Sequence, residues 1–148
     1  MLILINGVLG ARKTAVGQSI VYEENKNGIA NAVYLSGNGS LVEVLQYQIN
    51  QVGTNKHMAE NAIQGMKEFK SSYFFNDTKV PEQSILIFKE AQRAWDAEKL
   101  GREFSEPEGL FRVGEKIFNE RKYAVLIGLY GNGQVIYKEE EKGISLWE

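Results

Sequence analysis

Three runs of uninterrupted apolar residues set the limits on what this chain can become: residues 2–5, 85–88 and 123–129. A strand with one wet face alternates apolar and polar positions, whereas a strand that is apolar throughout is buried on both faces, as in a parallel sheet covered by helices. Helical spacing recurs between the runs. From Lys13 to about Asn25, Ala15, Val16, Ile20 and Val21 share a face, and Asn27-Gly28 closes the turn. Residues 31–35 read as a second short strand, and residues 36–39 as a loop. A helix carrying Leu41, Val42, Val44, Leu45 and Ile49 then follows, with Ser40 as its expected N-cap. This alternation predicts an α/β fold with a mainly parallel central sheet and helices on both faces.

Residues 52–83 read as a helical insertion against the sheet edge, with Met58, Ala62, Ile63, Met66 and Phe69 at helical intervals and residues 71–77 as a loop. The aromatic cluster Tyr73-Phe74-Phe75 is expected in the core, because no Arg or Lys is interleaved with it as a base-stacking platform would require. Ser105 followed by Pro107 and Glu108 marks the start of a helix over residues 109–119. Residues 135–137 form a short edge strand in this reading, and the three Glu between Lys138 and Lys142 a solvated turn.

Bulk properties narrow the function. A chain of 148 residues, 43% hydrophobic, builds one domain, here expected to span residues 1–148. Its net charge of −2 supplies no basic field of the kind that dominates nucleic-acid affinity. No Cys and a single His, His57, argue against a disulfide framework, a thiolate or histidine metal site and a Ser-His-Asp triad. The first apolar run stops at Asn6 without a basic leader, and nothing approaches the ~20 apolar residues of a membrane span. A cytoplasmic location follows by elimination.

The first run leads into Gly7-Val8-Leu9-Gly10-Ala11-Arg12-Lys13-Thr14. A strand, a glycine turn and Lys-Thr opening a helix make a phosphate-binding loop: backbone N–H groups wrap the phosphates, Lys reaches the outer ones and Thr holds Mg²⁺. Gly7, Lys13 and Thr14 have the spacing of that motif, with Gly10 and Ala11 inside the turn, but Arg12 stands at its second glycine. The second run ends at Lys89-Glu90. Nucleotide hydrolysis needs a metal-holding carboxylate there, followed by a Glu that polarises water. Glu90 is in place, but Lys89 occupies the position of the metal-holding carboxylate. The third run leads to Gly131-Asn132-Gly133-Gln134, where Gln134 suits γ-phosphate sensing.

Taken in order, residues 7–14, Tyr34-Leu35-Ser36-Gly37-Asn38-Gly39, Glu90-Ala91-Gln92-Arg93-Ala94-Trp95-Asp96, Ser105-Glu106-Pro107-Glu108 and residues 128–134 resemble the Schlafen group 3-like DNA/RNA helicase family over nearly the whole chain. The resemblance implies a RecA-like P-loop core of the superfamily 1 helicase type. It implies that Lys13 and Thr14 bind ATP and its metal, that Glu90 is the catalytic base, and that Gln92 and Gln134 couple the γ-phosphate to nucleic acid. Ser36, Gly37 and Asn38 would lie beside single-stranded nucleic acid. The chain departs from the family at Arg12 (usually Gly), Lys89 (Asp), Ser40 (Pro) and Val135-Ile136 (Glu-Ile).

An ammonium at position 89 repels Mg²⁺ where a carboxylate would hold it. The expected function is therefore a hydrolysis-impaired nucleotide-binding domain acting as a binding or regulatory partner. The alternatives are an active ATPase or helicase subunit completed by a partner chain that brings the second RecA-like domain, and a folded scaffold that binds nothing.

Overall fold

The computed structural model describes residues 1–8, 10–51, 56–94, 96–131 and 145–147. Its strands are β1 (Leu2–Asn6), β2 (Ala32–Ser36), β3 (Ile63–Gly65), β4 (Ile85–Lys89) and β5 (Val125–Tyr130). Its helices are α1 (Lys13–Glu24), α2 (Gly39–Gln51), α3 (Lys56–Ala62), α4 (Met66–Tyr73), α5 (Ala97–Leu100) and α6 (Glu106–Arg121). The strands form one sheet in the order β1-β5-β4-β2-β3, and every pairing is parallel. The α/β class expected from the apolar runs is the one found, and the all-parallel sheet is consistent with the RecA-like core that the resemblance implies.

The chain moves across the sheet from β1 to β2 and on to β3, then returns to β4 and β5. Parallel crossovers are right-handed, so the outward and return journeys place their helices on opposite faces. The two core clusters follow that division. Ala32, Tyr34, Ile85, Ile87, Ile127 and Leu129 pack beneath Val21 of α1, Val42 and Leu45 of α2, and Ala62 of α3. Val33, Leu35, Leu86, Phe88 and Leu126 face Met66 and Phe69 of α4 and Leu110, Val113 and Ile117 of α6. Successive residues of each strand thus feed alternate cores, which is why the runs carry no polar position.

Four local expectations are corrected. β1 is not buried on both faces: among the described residues it lies at the sheet margin, and Ile3 and Leu4 are 36% and 37% exposed. An edge strand can share the composition of a central one, so composition cannot place it. The presumed single helix over residues 58–70 is two helices flanking β3, which pairs with β2 through Tyr34↔Ile63, Leu35↔Gln64 and Ser36↔Gly65. Helical spacing persists across the break because α3 and α4 pack on opposite faces, while the strand between them satisfies backbone groups of β2 that burial would otherwise leave unpaired. α4 continues to Tyr73, into the expected loop. Finally, Asn38 rather than Ser40 caps α2: its Oδ1 accepts from the Leu41 N–H at 3.2 Å, and Ser40 lies inside the first turn.

Ser105 is the N-cap expected of it, accepting from the Glu108 N–H at 3.3 Å, although α6 begins three residues earlier and ends two later than expected, running from Glu106 to Arg121. His57 is an exposed residue of α3. The expectations for residues 135–137 and 138–142 lie outside the described residues. No helix among the described residues is long and apolar enough to cross a membrane.

Candidate phosphate site at the strand ends

An all-parallel sheet brings its strand ends to one edge, where ligands of such folds bind. Here β5 separates β1 from β4, with Leu4↔Gly128 and Gly128↔Phe88 in register. Two strand spacings, roughly 10 Å, therefore lie between the loop after β1 and the residues after β4. That gap is a cavity of about 430 Å³, and Arg12, Lys13, Thr14, Lys89, Glu90 and Gln92 are among the residues lining it. Gly10 and Ala11 line it too, and Gly131 closes the side beside β5. Gly7 contributes from behind: its N–H donates to the Tyr130 carbonyl at 3.2 Å, fastening the loop to β5.

The Lys13 ammonium donates to the carbonyls of Gly7 at 2.5 Å and Val8 at 2.9 Å. It is thereby held across the loop at the cavity, and an anion entering there would exchange those bonds for its own. Arg12 caps α1 in the left-handed region, φ 53° and ψ 31°. A side chain there is strained, which accounts physically for glycine at this point of the motif. The Arg12 side chain is exposed and borders the cavity.

Beneath the loop lies Tyr34, a residue the sequence reading did not single out as a site residue. Its side chain is fully buried, and its hydroxyl interacts with the Thr14 hydroxyl without meeting the geometry of a full hydrogen bond. Burial pushes the phenol up to about 12; the Thr14 hydroxyl opposes this and the Glu90 carboxylate reinforces it. The ring fits because residue 17 is Gly: a Cβ there would stand 2.5 Å from Tyr34 Cε2. A glycine inside an otherwise regular helix was the available signal.

Glu90 also adopts a left-handed backbone, φ 59°. Its Oε1 lies 3.7 Å from Lys89 Nζ and its Oε2 3.4 Å from Arg93 NH1, so two cations flank the one carboxylate. Gln92, in the 3₁₀ turn Ala91–Arg93, is buried, and its Oε1 has no hydrogen-bond partner among the described residues. The structure thus brings Glu90 and Gln92 to Arg12, Lys13 and Thr14. Gln134 lies outside the described residues. Ser36 is buried, and its Oγ accepts from the Asn38 N–H at 3.2 Å, turning the chain out of β2. Gly37 and Asn38 are exposed and border a second cavity, of about 1230 Å³, which shares Lys89 and Glu90 with the first.

The family resemblance implies Mg²⁺ beside Thr14, but the residues present do not fit it. Lys89 brings positive charge to the metal's position, and Glu90 is shared between cations. Among the described residues no three carboxylate or imidazole side chains form a metal-holding group.

A family model described as Schlafen group 3, DNA/RNA helicase domain matches residues 1–147. The chain belongs to that family. No curated protein and no solved structure matches it significantly. Membership in the Schlafen group 3 helicase-domain family identifies a helicase-like domain on an all-parallel sheet.

Proposed function

We propose that the 7–14 loop binds the phosphates of ATP, that hydrolysis there is impaired, and that the domain serves as a binding or regulatory module beside nucleic acid. The observation that carries this reading is the cavity itself. Three cationic side chains, Arg12, Lys13 and Lys89, and the start of α1 line a space of about 430 Å³. A helix N-terminus and adjoining Lys and Arg are what a polyphosphate requires. Gln92 adds a polar group whose Oε1 is free, among the described residues, to accept from a water or ligand hydroxyl.

Impaired hydrolysis follows from Lys89. Its charge helps neutralise phosphate in the ground state but cannot organise an octahedral metal shell or stabilise the leaving oxygen as a metal would. Binding survives this exchange better than catalysis does. Titration calorimetry with ATP tests the reading: wild type is expected to bind, and Lys13→Ala to bind at least tenfold more weakly, roughly the loss of one charge-assisted contact. Equal affinity in both proteins, or none in wild type, overturns it.

A second reading, an active ATPase completed by a partner-supplied domain, is supported by Glu90 and Gln92 lining the same cavity as Thr14. It predicts phosphate release that rises when Lys89→Asp and Arg12→Gly restore the family's residues. Unchanged release in the double variant, with or without an oligonucleotide, removes its support.

A further inference from the structure

Phe74 and Phe75 are adjacent but have opposite fates. Phe74 is buried, its ring seated where Gly109 leaves room, whereas Phe75 is 45% exposed. Single exposed apolar side chains are ordinary. Phe75 is distinguished by its company: the Arg102 guanidinium lies over its ring at 4.2 Å from the centroid. Beside it, Phe104 stands 6.4 Å away with Arg112 over its ring at 4.3 Å. The aromatic cluster that carries no basic residue in sequence acquires Arg102 from the segment after β4, so the ground for assigning all of it to the core does not extend to Phe75.

The pair also has a position. Phe75 and Arg102 border both the 1230 Å³ cavity and a neighbouring one of about 620 Å³ whose far side is Phe104 and Arg112. The larger cavity exceeds the roughly 300–1,000 Å³ of small-molecule pockets and suits a length of polymer. Gly37, Asn38, Lys67, Lys89, Arg93 and Arg102 are among the residues lining it. Five cations border it against two carboxylates, Glu90 and Glu106, in a chain whose net charge is −2. Glu106 is itself paired with Lys70 at 2.6 Å. Positive charge is therefore in excess along this cavity, while the neighbouring one of about 620 Å³ also carries Asp77, Glu98 and Glu103.

We infer that Phe75 and Arg102 form a base-stacking subsite for single-stranded nucleic acid whose backbone follows the basic cavity from Asn38. The inference rests on the nucleic-acid part of the function proposed above and adds residues to it. A splayed base stacks on an aromatic ring or a guanidinium plane, and an adjoining cationic groove holds the phosphates. An acidic peptide satisfies the charge but offers no flat π-face to the ring, so the aromatic half of the subsite favours nucleic acid.

Fluorescence anisotropy with labelled twelve-residue oligo-dT and oligo-U tests this, with ATP binding measured on the same preparations. Wild type is expected to bind one or both strands, and their ratio separates DNA from RNA. Phe75→Leu keeps an apolar side chain at an exposed position; it should bind roughly tenfold more weakly with an unchanged salt slope. Arg102→Gln should weaken binding and reduce the slope of log K against log salt by about 0.7. An abasic strand that binds as tightly as oligo-dT overturns stacking, as does Phe75→Leu binding like wild type. Displacement of the strand by polyglutamate at equal charge concentration shows a peptide face and overturns it. No oligonucleotide binding by wild type also overturns the subsite, and ATP titration on that preparation shows separately whether the phosphate site stands.

Discussion

Arg12 and Glu90 place two left-handed, non-glycine residues on the same cavity. Each such backbone costs of order 1–3 kcal/mol. Replacing Arg12 with Gly removes the strain but also the guanidinium. Arg12→Gly is therefore expected to raise unfolding free energy by about 1 kcal/mol, read as a higher denaturant midpoint, while lowering ATP affinity severalfold. Spacing showed that position 12 departed from the motif; it could not show the φ that makes the departure costly. Tyr34 gives a pH prediction. Burial raises its phenol from 10.0 to about 12, so folding favours the protonated form. The stability this contributes is complete below pH 10 and is lost as pH rises toward 12. Tyr34→Phe deletes a buried hydroxyl that meets Thr14 without full hydrogen-bond geometry, so it should stay within about 1 kcal/mol of wild-type stability at neutral pH and escape the alkaline loss. Denaturant midpoints of both proteins on either side of pH 10 check this.

At the scale of elements, the loop works only if α1 sits down on the sheet, and Gly17 permits that. Gly17→Ala sets a methyl 2.5 Å from the Tyr34 ring. It should destabilise by about 2 kcal/mol and weaken ATP binding as Lys13 and Thr14 lift. Adding Tyr34→Leu should recover part of the loss, and a double-mutant cycle measures the coupling. On the opposite face α6 organises the connection from α4 to β4. Lys116 Nζ donates to the carbonyls of Tyr73 at 2.8 Å, Asn76 at 2.9 Å and Lys79 at 3.2 Å, while Arg121 reaches those of Pro81 and Gln83. Lys116→Met should cost about 2 kcal/mol and speed amide exchange over residues 74–79, beside Phe75. None of this was readable beforehand, because a lysine that clamps carbonyls looks in sequence like any solvated lysine. The Ser105 cap was readable because its partner is three residues away. β3 was hidden because its neighbour is β2, far off in the chain, while its own spacing imitates a helix.

For the whole molecule, the apolar runs at 2–5, 85–88 and 123–129 were enough to expect a parallel α/β sheet, since burial on both faces leaves few other architectures. The position of β1 within it was not readable. Among the described residues β1 pairs with β5 alone, and Ile3 and Leu4 remain at the margin. The strand order matters more for function than that margin, because β5 between β1 and β4 holds the loop and the Lys89-Glu90 pair a phosphate group's reach apart. The proposed function therefore depends on a cation, Lys89, standing in place of a metal-holding carboxylate, and ATP titration of wild type and Lys89→Asp, each with and without Mg²⁺, tests it most directly. Wild type is predicted to bind ATP with an affinity that Mg²⁺ does not increase, and Lys89→Asp to require Mg²⁺ for equally tight binding. Wild-type affinity that rises with Mg²⁺, accompanied by turnover, would contradict it.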